Sequence, residues 1–215
     1  MEVTRLADGL WRWTAQHPDW KPGDGGPDGW EQKVSCVYLE APDHVVLVDP
    51  LVPGDERDRF FEALDRDVER AGRPVAIALT CEWHARSAAE LRERYDAEVW
   101  APGEVAQAPA TRPFVPGDRM PGGLEALDVG IAAEVLLWIP AHATLVAGDA
   151  ILGTPGGLRR CPNSWLPRGL PPARFVELLS HVLQLPVERV VPTHGEPVEQ
   201  GAHAALRAAI ERLWL

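Results

Sequence analysis

Residues 79–91, with the sequence LTCEWHARSAAEL, bring four chemically reactive side chains close together along the chain. They are a thiol, a carboxylate, an imidazole and a guanidinium, contributed by Cys81, Glu82, His84 and Arg86. The run PVAIALT that precedes them is apolar and has the length of a buried strand. Such a cluster directly after an apolar strand is typical of a metal or catalytic site.

Three other polar residues also follow apolar runs: Asp49 in VLVDP, Asp149 in LVAGDAI and His194 in VVPTHGEP. A residue just past a buried strand is held rigidly and lies at the sheet edge, where the ligands of open α/β folds bind. One such residue alone is usually a cap or a turn former. Four of these positions in one chain, counting the stretch after PVAIALT, predict that the side chains converge on one pocket.

The apolar spacing predicts the elements that would position these residues. VSCVYLEAPDHVVLVDP predicts two strands joined by a turn at 41–44, and EVWAP, EVLLWIP, TLVAGDAIL and ERVVPTHG predict further strands. Helical spacing predicts helices over GDERDRFFEALDRDVERAG, RSAAELRERYD, 175–182 and 206–213. Strands in a meander, followed by strands that alternate with helices, predict a layered α/β sandwich.

The composition bounds the class of protein. With 215 residues, 46% of them apolar, the chain fits one α/β domain over 1–215. The net charge of −11, with Lys21 and Lys33 as the only lysines, argues against a nucleic-acid surface. No secretory signal and no apolar run of ~20 residues is evident, so no membrane span is expected. The three cysteines are far apart in sequence, and reduced thiols in a cytoplasmic protein are expected.

In this order the motifs resemble those of the metallo-β-lactamase superfamily, from about Leu10 to the C-terminus. In that family a strand ends in Asp and a later strand runs into H-x-H-x-D-H. A His in a GH turn, an Asp in a GD step and a His in a PxHG-like turn follow. Here VDP supplies Asp49, AGDAI supplies Asp149 and PTHGEP supplies His194. The resemblance implies a four-layer αββα sandwich and a hydrolase-like protein, in a family whose two metal ions use seven ligand positions.

The metal motif itself departs from the family pattern. The H-x-H-x-D-H register fits best on Glu82-x-His84-x-Arg86-Ser87, which keeps one histidine. A register one residue earlier puts a cysteine and a tryptophan at the first two ligand positions and loses His84. The segment ALDVGIAAEV, where the GH turn should lie, contains no histidine. The resemblance therefore implies that a complete site for two ions is absent.

The ligands that remain are expected to be Glu82, His84, Asp149 and His194. They suffice for one divalent ion, either Zn²⁺, Mn²⁺ or Fe²⁺, and a site without any metal is the other possibility. Arg86 takes the place of the family's aspartate and cannot bind a cation. We expect Arg86 to pair with Asp149 and to fill the space of the second ion, and we expect Arg86, Asp149 and His194 to be the catalytic residues.

Two irregular segments, 17–30 and 156–167, are expected to form the rim of the pocket, because each contains tryptophan and few residues that propagate a helix or strand. In the second segment, two arginines and an amide could bind an anionic group of a small-molecule substrate. The candidate substrate-binding residues are Arg159, Arg160, Asn163 and Trp165.

Three functions of different class are compatible with these residues. The first is a hydrolase-like protein with an eroded site, which binds a small ligand with at most one metal ion. The second is an active mononuclear metal-dependent hydrolase of an ester, a thioester or a lactone. The third is a non-catalytic interaction module, for which no apolar stripe or charged tail in the sequence argues.

Overall fold

The computed structural model of the chain describes residues 1–103 and 109–212. Its strands are β1 Glu2–Ala7, β2 Leu10–Gln16, β3 Lys33–Glu40, β4 Val45–Val48, β5 Val75–Ala78, β6 Glu98–Pro102, β7 Arg112–Phe114, β8 Glu125–Asp128, β9 Val135–Ile139, β10 Thr144–Val146, β11 Ile151–Thr154, β12 Gly157–Arg160 and β13 Arg189–Val191. Its α-helices are α1 Arg57–Ala71, α2 Ala88–Tyr95, α3 Pro172–Leu179 and α4 Ala202–Glu211. Within these ranges no helix has the length and apolar character needed to cross a membrane. The end of the predicted closing helix, at Leu213, lies outside the described residues.

Strands β1 to β7 form one sheet, in which they lie in the order of the chain. β1 to β4 pair antiparallel and β4 to β7 pair parallel. α1 and α2 connect β4 to β5 and β5 to β6, as parallel pairing requires. Val48 pairs with Ala78 at the ends of β4 and β5. The residues that follow these two strands therefore meet at one edge of the sheet.

The second sheet has the strand order β13-β10-β9-β8. β10 and β13 pair parallel, with Val146 opposite Val191, so the residues after these strands also meet at one edge. The predicted strand TLVAGDAIL is interrupted, because β10 ends at Val146 and β11 begins at Ile151 in a separate two-stranded sheet with β12. Asp149 lies in the turn between β10 and β11.

Helices cover the outer faces of the two larger sheets. Alternate residues of a strand point to opposite faces, and in β9 Leu137 packs between the sheets whereas Leu136 packs outward. The outward face of the first sheet packs against Phe60 of α1 and Leu91 of α2. The outward face of the second sheet packs against α3 and α4, with Phe175 fully buried. The predicted four-layer αββα sandwich is confirmed.

The two larger sheets approach each other closely at the turn after β10. Gly148 has a φ of +51°, and a Cβ placed on it would lie 3.2 Å from the Thr80 side chain and 3.3 Å from the carbonyl oxygen of Val135. Glycine fits both the left-handed backbone and the narrow space. This contact brings the edge residues of β5 beside the turn that holds Asp149.

Candidate functional site

His84 is oriented by two residues that follow β4 and β5. Asp49 accepts hydrogen bonds from the backbone N–H of Thr80 at 2.8 Å and from the Thr80 hydroxyl at 2.6 Å. Nδ1 of His84 lies 3.0 Å from Oδ2 of Asp49. Because this nitrogen faces a carboxylate, it carries a proton, and the ring is fixed with Nε2 directed away from Asp49. His84 is buried, with 3% of its surface exposed.

Cys81, His84 and Asp149 form a group of potential metal ligands. Their donor atoms all lie within 4.8 Å of one another. Cys81 directly precedes the 3₁₀-helix Glu82–Ala85, and the backbone N–H of His84 donates to the Cys81 carbonyl oxygen at 3.2 Å, which holds the two residues together. Glu82, which we expected to be a ligand, is exposed at the start of this helix. The chain is helical at this point, and the Cys81 thiol, not the Glu82 carboxylate, is grouped with His84 and Asp149.

Asp149 lies between two imidazoles. Its Oδ1 is 3.4 Å from Nε2 of His84 and 3.4 Å from Nε2 of His194. This oxygen is buried and, among the described residues, makes no hydrogen bond of good geometry. Its Oδ2 accepts a hydrogen bond from the indole N–H of Trp83 at 2.8 Å. One carboxylate oxygen is thus held, and the other faces the gap between the histidines.

The pKa values of Asp149 and His84 are shifted so that each stabilises the charged form of the other. Burial by itself raises the pKa of Asp149, but the neighbouring imidazoles lower it by more, and the pKa lies well below its usual value. Burial and the nearby Arg86 charge lower the pKa of His84, whereas the carboxylates of Asp149 and Asp49 help to raise it well above its usual value. Burial raises the pKa of Cys81 to about 12. Without a cation, the protein therefore holds a thiol and an ion pair at this position.

His194 approaches from the turn after β13. It is 6% exposed, and its Nδ1 lies 3.3 Å from the carbonyl oxygen of Glu31, which leaves Nε2 for the pocket. Trp30 packs on the imidazole with ring centroids 5.0 Å apart. Gly195 follows with a φ of +86°, and a Cβ there would lie 2.6 Å from the carbonyl carbon of Gly153. This close packing fixes the turn and, with it, the imidazole.

A pocket of about 900 Å³ lies above these groups. The segment 17–30 covers one side of it, and Trp165 from the segment 156–167 reaches it from another. The two segments are joined where the indole N–H of Trp165 donates to the carbonyl oxygen of Asp28 at 2.9 Å. The predicted rim is confirmed.

Solved structures with the same architecture are metallo-β-lactamases. The enzyme FIM-1 of Pseudomonas aeruginosa, in a mono-zinc form, matches 98% of this chain over 94% of its own, with a TM-score of 0.70 and 14% identity. Metallo-β-lactamases from Pontibacter korlensis and Erythrobacter litoralis match 99% and 98% of the chain over 99% and 92% of their own, with TM-scores of 0.67 and 0.65 and 16% identity each. The chain has the metallo-β-lactamase fold. By sequence it matches no protein-family model and no curated protein.

Within the metallo-β-lactamase fold, the expected pairing of Arg86 with Asp149 is wrong. Nη1 of Arg86 donates instead to the backbone carbonyl of Asp49 at 3.0 Å, and no ion pair links these two described side chains, Arg86 and Asp149. Asp149 receives its positive charge from the imidazoles and its hydrogen bond from Trp83. The Arg86 backbone has a φ of +32°, unusual for a residue with a side chain, and this conformation ends the 3₁₀-helix. Arg86 nevertheless lines the pocket.

The four candidate substrate-binding residues are dispersed. Only Trp165 lines the main pocket; Arg159 lines an adjoining cavity, and Asn163 is exposed. Arg160 is 3% exposed and donates to the carbonyl oxygen of Arg212 at 3.0 Å, away from the pocket. The two arginines separate because they are consecutive in β12, where neighbouring side chains point to opposite faces. The paired anion site expected from them does not form.

Three residues of this region were not predicted as site residues: Cys81, Trp83 and Glu134. Glu134 is 5% exposed, and its segment forms an isolated antiparallel bridge with Cys81. Burial, followed by the charge of the nearby Asp149, raises the pKa of the Glu134 carboxyl to about 7. A glutamate directly before the apolar run VLLWI is the signal in the sequence that could have identified it.

Proposed function

We propose that this chain is a hydrolase-like protein that binds a small molecule beside one divalent metal ion, held by Cys81, His84 and Asp149. The observation that carries the proposal is the grouping of their donor atoms within 4.8 Å. Catalytic zinc ions typically have three protein ligands and a fourth coordination position that is open to water or substrate. A thiolate, an imidazole and a carboxylate favour Zn²⁺ over Mn²⁺, because sulfur is a soft ligand. The mono-zinc form of the P. aeruginosa enzyme is in line with this proposal.

The residues present fit a cation. Oδ1 of Asp149 is buried, and no described residue completes its hydrogen bonding. Asp49 fixes the His84 ring so that Nε2 faces the same gap. Histidine binds a metal through an unprotonated nitrogen and cysteine binds it as the thiolate, so metal binding would displace the protons that His84 and Cys81 hold in its absence.

Catalysis would combine this ion with the residues around it. A bound divalent cation polarises a carbonyl oxygen and lowers the pKa of a water molecule. His194 accepts or donates a proton at Nε2, since its Nδ1 is directed to a carbonyl oxygen. Arg86 places a permanent positive charge at the pocket wall, where it stabilises negative charge that develops on the substrate. An ester, thioester or lactone is the substrate class that this arrangement supports.

A second function is favoured by Arg86 and the protonated His84. His84 pairs with both Asp49 and Asp149, and Arg86 adds a positive charge beside them without any metal. The protein would then bind a small ligand and not hydrolyse it. A cytoplasmic location, a single domain and the absence of nucleic-acid or membrane partners stay predictions from the composition.

The test is a zinc titration of protein freed of metal by a chelator, with a zinc-sensitive dye as competitor. We expect one Zn²⁺ per chain, and a loss of binding of about 10-fold or more in Cys81→Ser and His84→Ala. Glu82→Gln is the matched control, because this exposed acid lies beside both ligands and should leave the affinity unchanged.

Loaded and metal-free protein are then assayed on esters, thioesters and lactones. Hydrolysis that depends on the metal supports the hydrolase. If the wild-type protein binds none of Zn²⁺, Mn²⁺ and Fe²⁺, the proposed hydrolase is overturned. The second function, a protein that binds a small ligand without a metal, would then remain.

A further inference from the structure

Trp83 is unusual among the large apolar side chains of this protein. Its side chain is 51% exposed, although both of its neighbours in space, His84 and Asp149, are largely buried. It belongs to the same 3₁₀-helix as His84 and lines the pocket. An exposed tryptophan by itself needs no explanation. The hydrogen bond of its indole is the distinctive feature.

The indole N–H of Trp83 donates to Oδ2 of Asp149 at 2.8 Å. A carboxylate on a short side chain can turn about its last bond and exchange its two oxygens. With Oδ2 held, the other oxygen stays 3.4 Å from Nε2 of His84 and of His194. The hydrogen bond therefore selects one orientation of Asp149, with Oδ1 toward the group of donor atoms.

We propose that Trp83 is a positioning residue that holds Asp149 ready to bind the metal ion, an inference that rests on the proposed function. The 3₁₀-helix Glu82–Ala85 then contributes to the site in two ways. His84 supplies a ligand, and Trp83, the residue before it, orients a ligand that comes from the other sheet. Groups that orient metal ligands in this way contribute strongly to metal affinity.

The matched pair of variants is Trp83→Phe and Trp165→Phe. Both remove an indole N–H from the wall of the same pocket and keep an aromatic ring, but the N–H of Trp165 donates to the carbonyl oxygen of Asp28, on the rim. In competition titrations with Zn²⁺ we expect Trp83→Phe to bind about 10- to 100-fold more weakly than wild type. Trp165→Phe should bind as wild type does.

Two further measurements separate orientation from a structural effect. The thermal midpoint of metal-free Trp83→Phe should equal that of wild type, because the ring is half exposed. With saturating Co²⁺, the absorption band of the Cys81 thiolate bound to cobalt should persist in Trp83→Phe and vanish in Cys81→Ser. If Trp83→Phe does not fold, Trp83→Met provides the same loss of a donor.

Equal zinc affinity of Trp83→Phe and wild type would overturn the inference, and so would equal losses in Trp83→Phe and Trp165→Phe. Wild-type protein that binds no metal would instead overturn the proposed function, and this is seen before any variant is made.

Discussion

The turn at 81–86 and the turn at 193–195 both bring a histidine to Asp149, but their positions are determined differently. At 193–195, Gly195 packs against the backbone of Gly153, and only one conformation fits. At 81–86, a single 3₁₀ turn determines which side chains face the pocket, and hydrogen bonds to Asp49 fix them. A histidine in a tightly packed turn therefore depends on the backbone for its position, whereas a histidine on a short helix depends on the side chains of its neighbours.

The largest effect is expected from Gly195→Ala. The added methyl group meets the backbone of Gly153, and a φ of +86° is strained for alanine, so the free energy of unfolding should fall by about 3 kcal/mol. The thermal midpoint should fall by roughly 6–12 °C. Gly156→Ala is the control, since a Cβ there has nothing within 4 Å. A midpoint of Gly195→Ala equal to that of the control would contradict the backbone role of this turn.

The complementary change, which affects the 81–86 turn, is Asp49→Asn. The amide cannot accept from His84 and from both Thr80 donors, so the imidazole loses its orientation and zinc affinity should fall about 10-fold. Competition titration measures this loss. Asp43→Asn, an exposed acid outside the pocket, serves as control. If Asp49→Asn bound zinc as tightly as wild type, the side-chain network would not be what positions the 81–86 turn.

The smallest effect concerns Glu40, which belongs to neither turn. Arg70 donates to it with two nitrogens, at 2.7 and 3.3 Å, and these hydrogen bonds lower the pKa of Glu40 against the opposing effect of burial. The stability that an acid with a lowered pKa provides is present above the unfolded pKa and is lost as the pH falls through the folded pKa. Glu40→Gln should therefore cost about 1 kcal/mol at pH 7.

The difference in thermal midpoint between Glu40→Gln and wild type should shrink below about pH 4, because the wild-type carboxyl becomes protonated there and loses its charge. Zinc affinity should not change. A difference that stays constant between pH 7 and pH 3 would show that the ion pair is not its source.

The sequence predicted the layers of the fold because apolar runs mark the buried strands, and it predicted the places of Asp49, Asp149 and His194 because each directly follows such a run. It did not show whether the side chain of Cys81 or that of Glu82 would lie beside His84. Adjacent side chains point in different directions, and the direction of each depends on the type of turn, which the sequence does not reveal. Arg86 was assigned to the wrong aspartate because the sequence does not show that Trp83 and two imidazoles already surround Asp149. The segment 156–167 was expected to be irregular, so the strand at 157–160 was not predicted. The opposite directions of the Arg159 and Arg160 side chains in that strand were therefore not predicted either.

The donor atoms of the proposed site come from two sheets, with Cys81 and His84 after β5, and Asp149 after β10. A metal ion there would join the two halves of the sandwich, and the spacing of the chelate would follow any shear between the sheets. Residues packed between the sheets, such as Leu137 and Val146, help to set this spacing. Replacing them with larger or smaller side chains would therefore change the distance between the donor atoms on the two sheets. If the proposed site binds a metal ion, its affinity would then depend on the apolar interior as well as on the donor atoms.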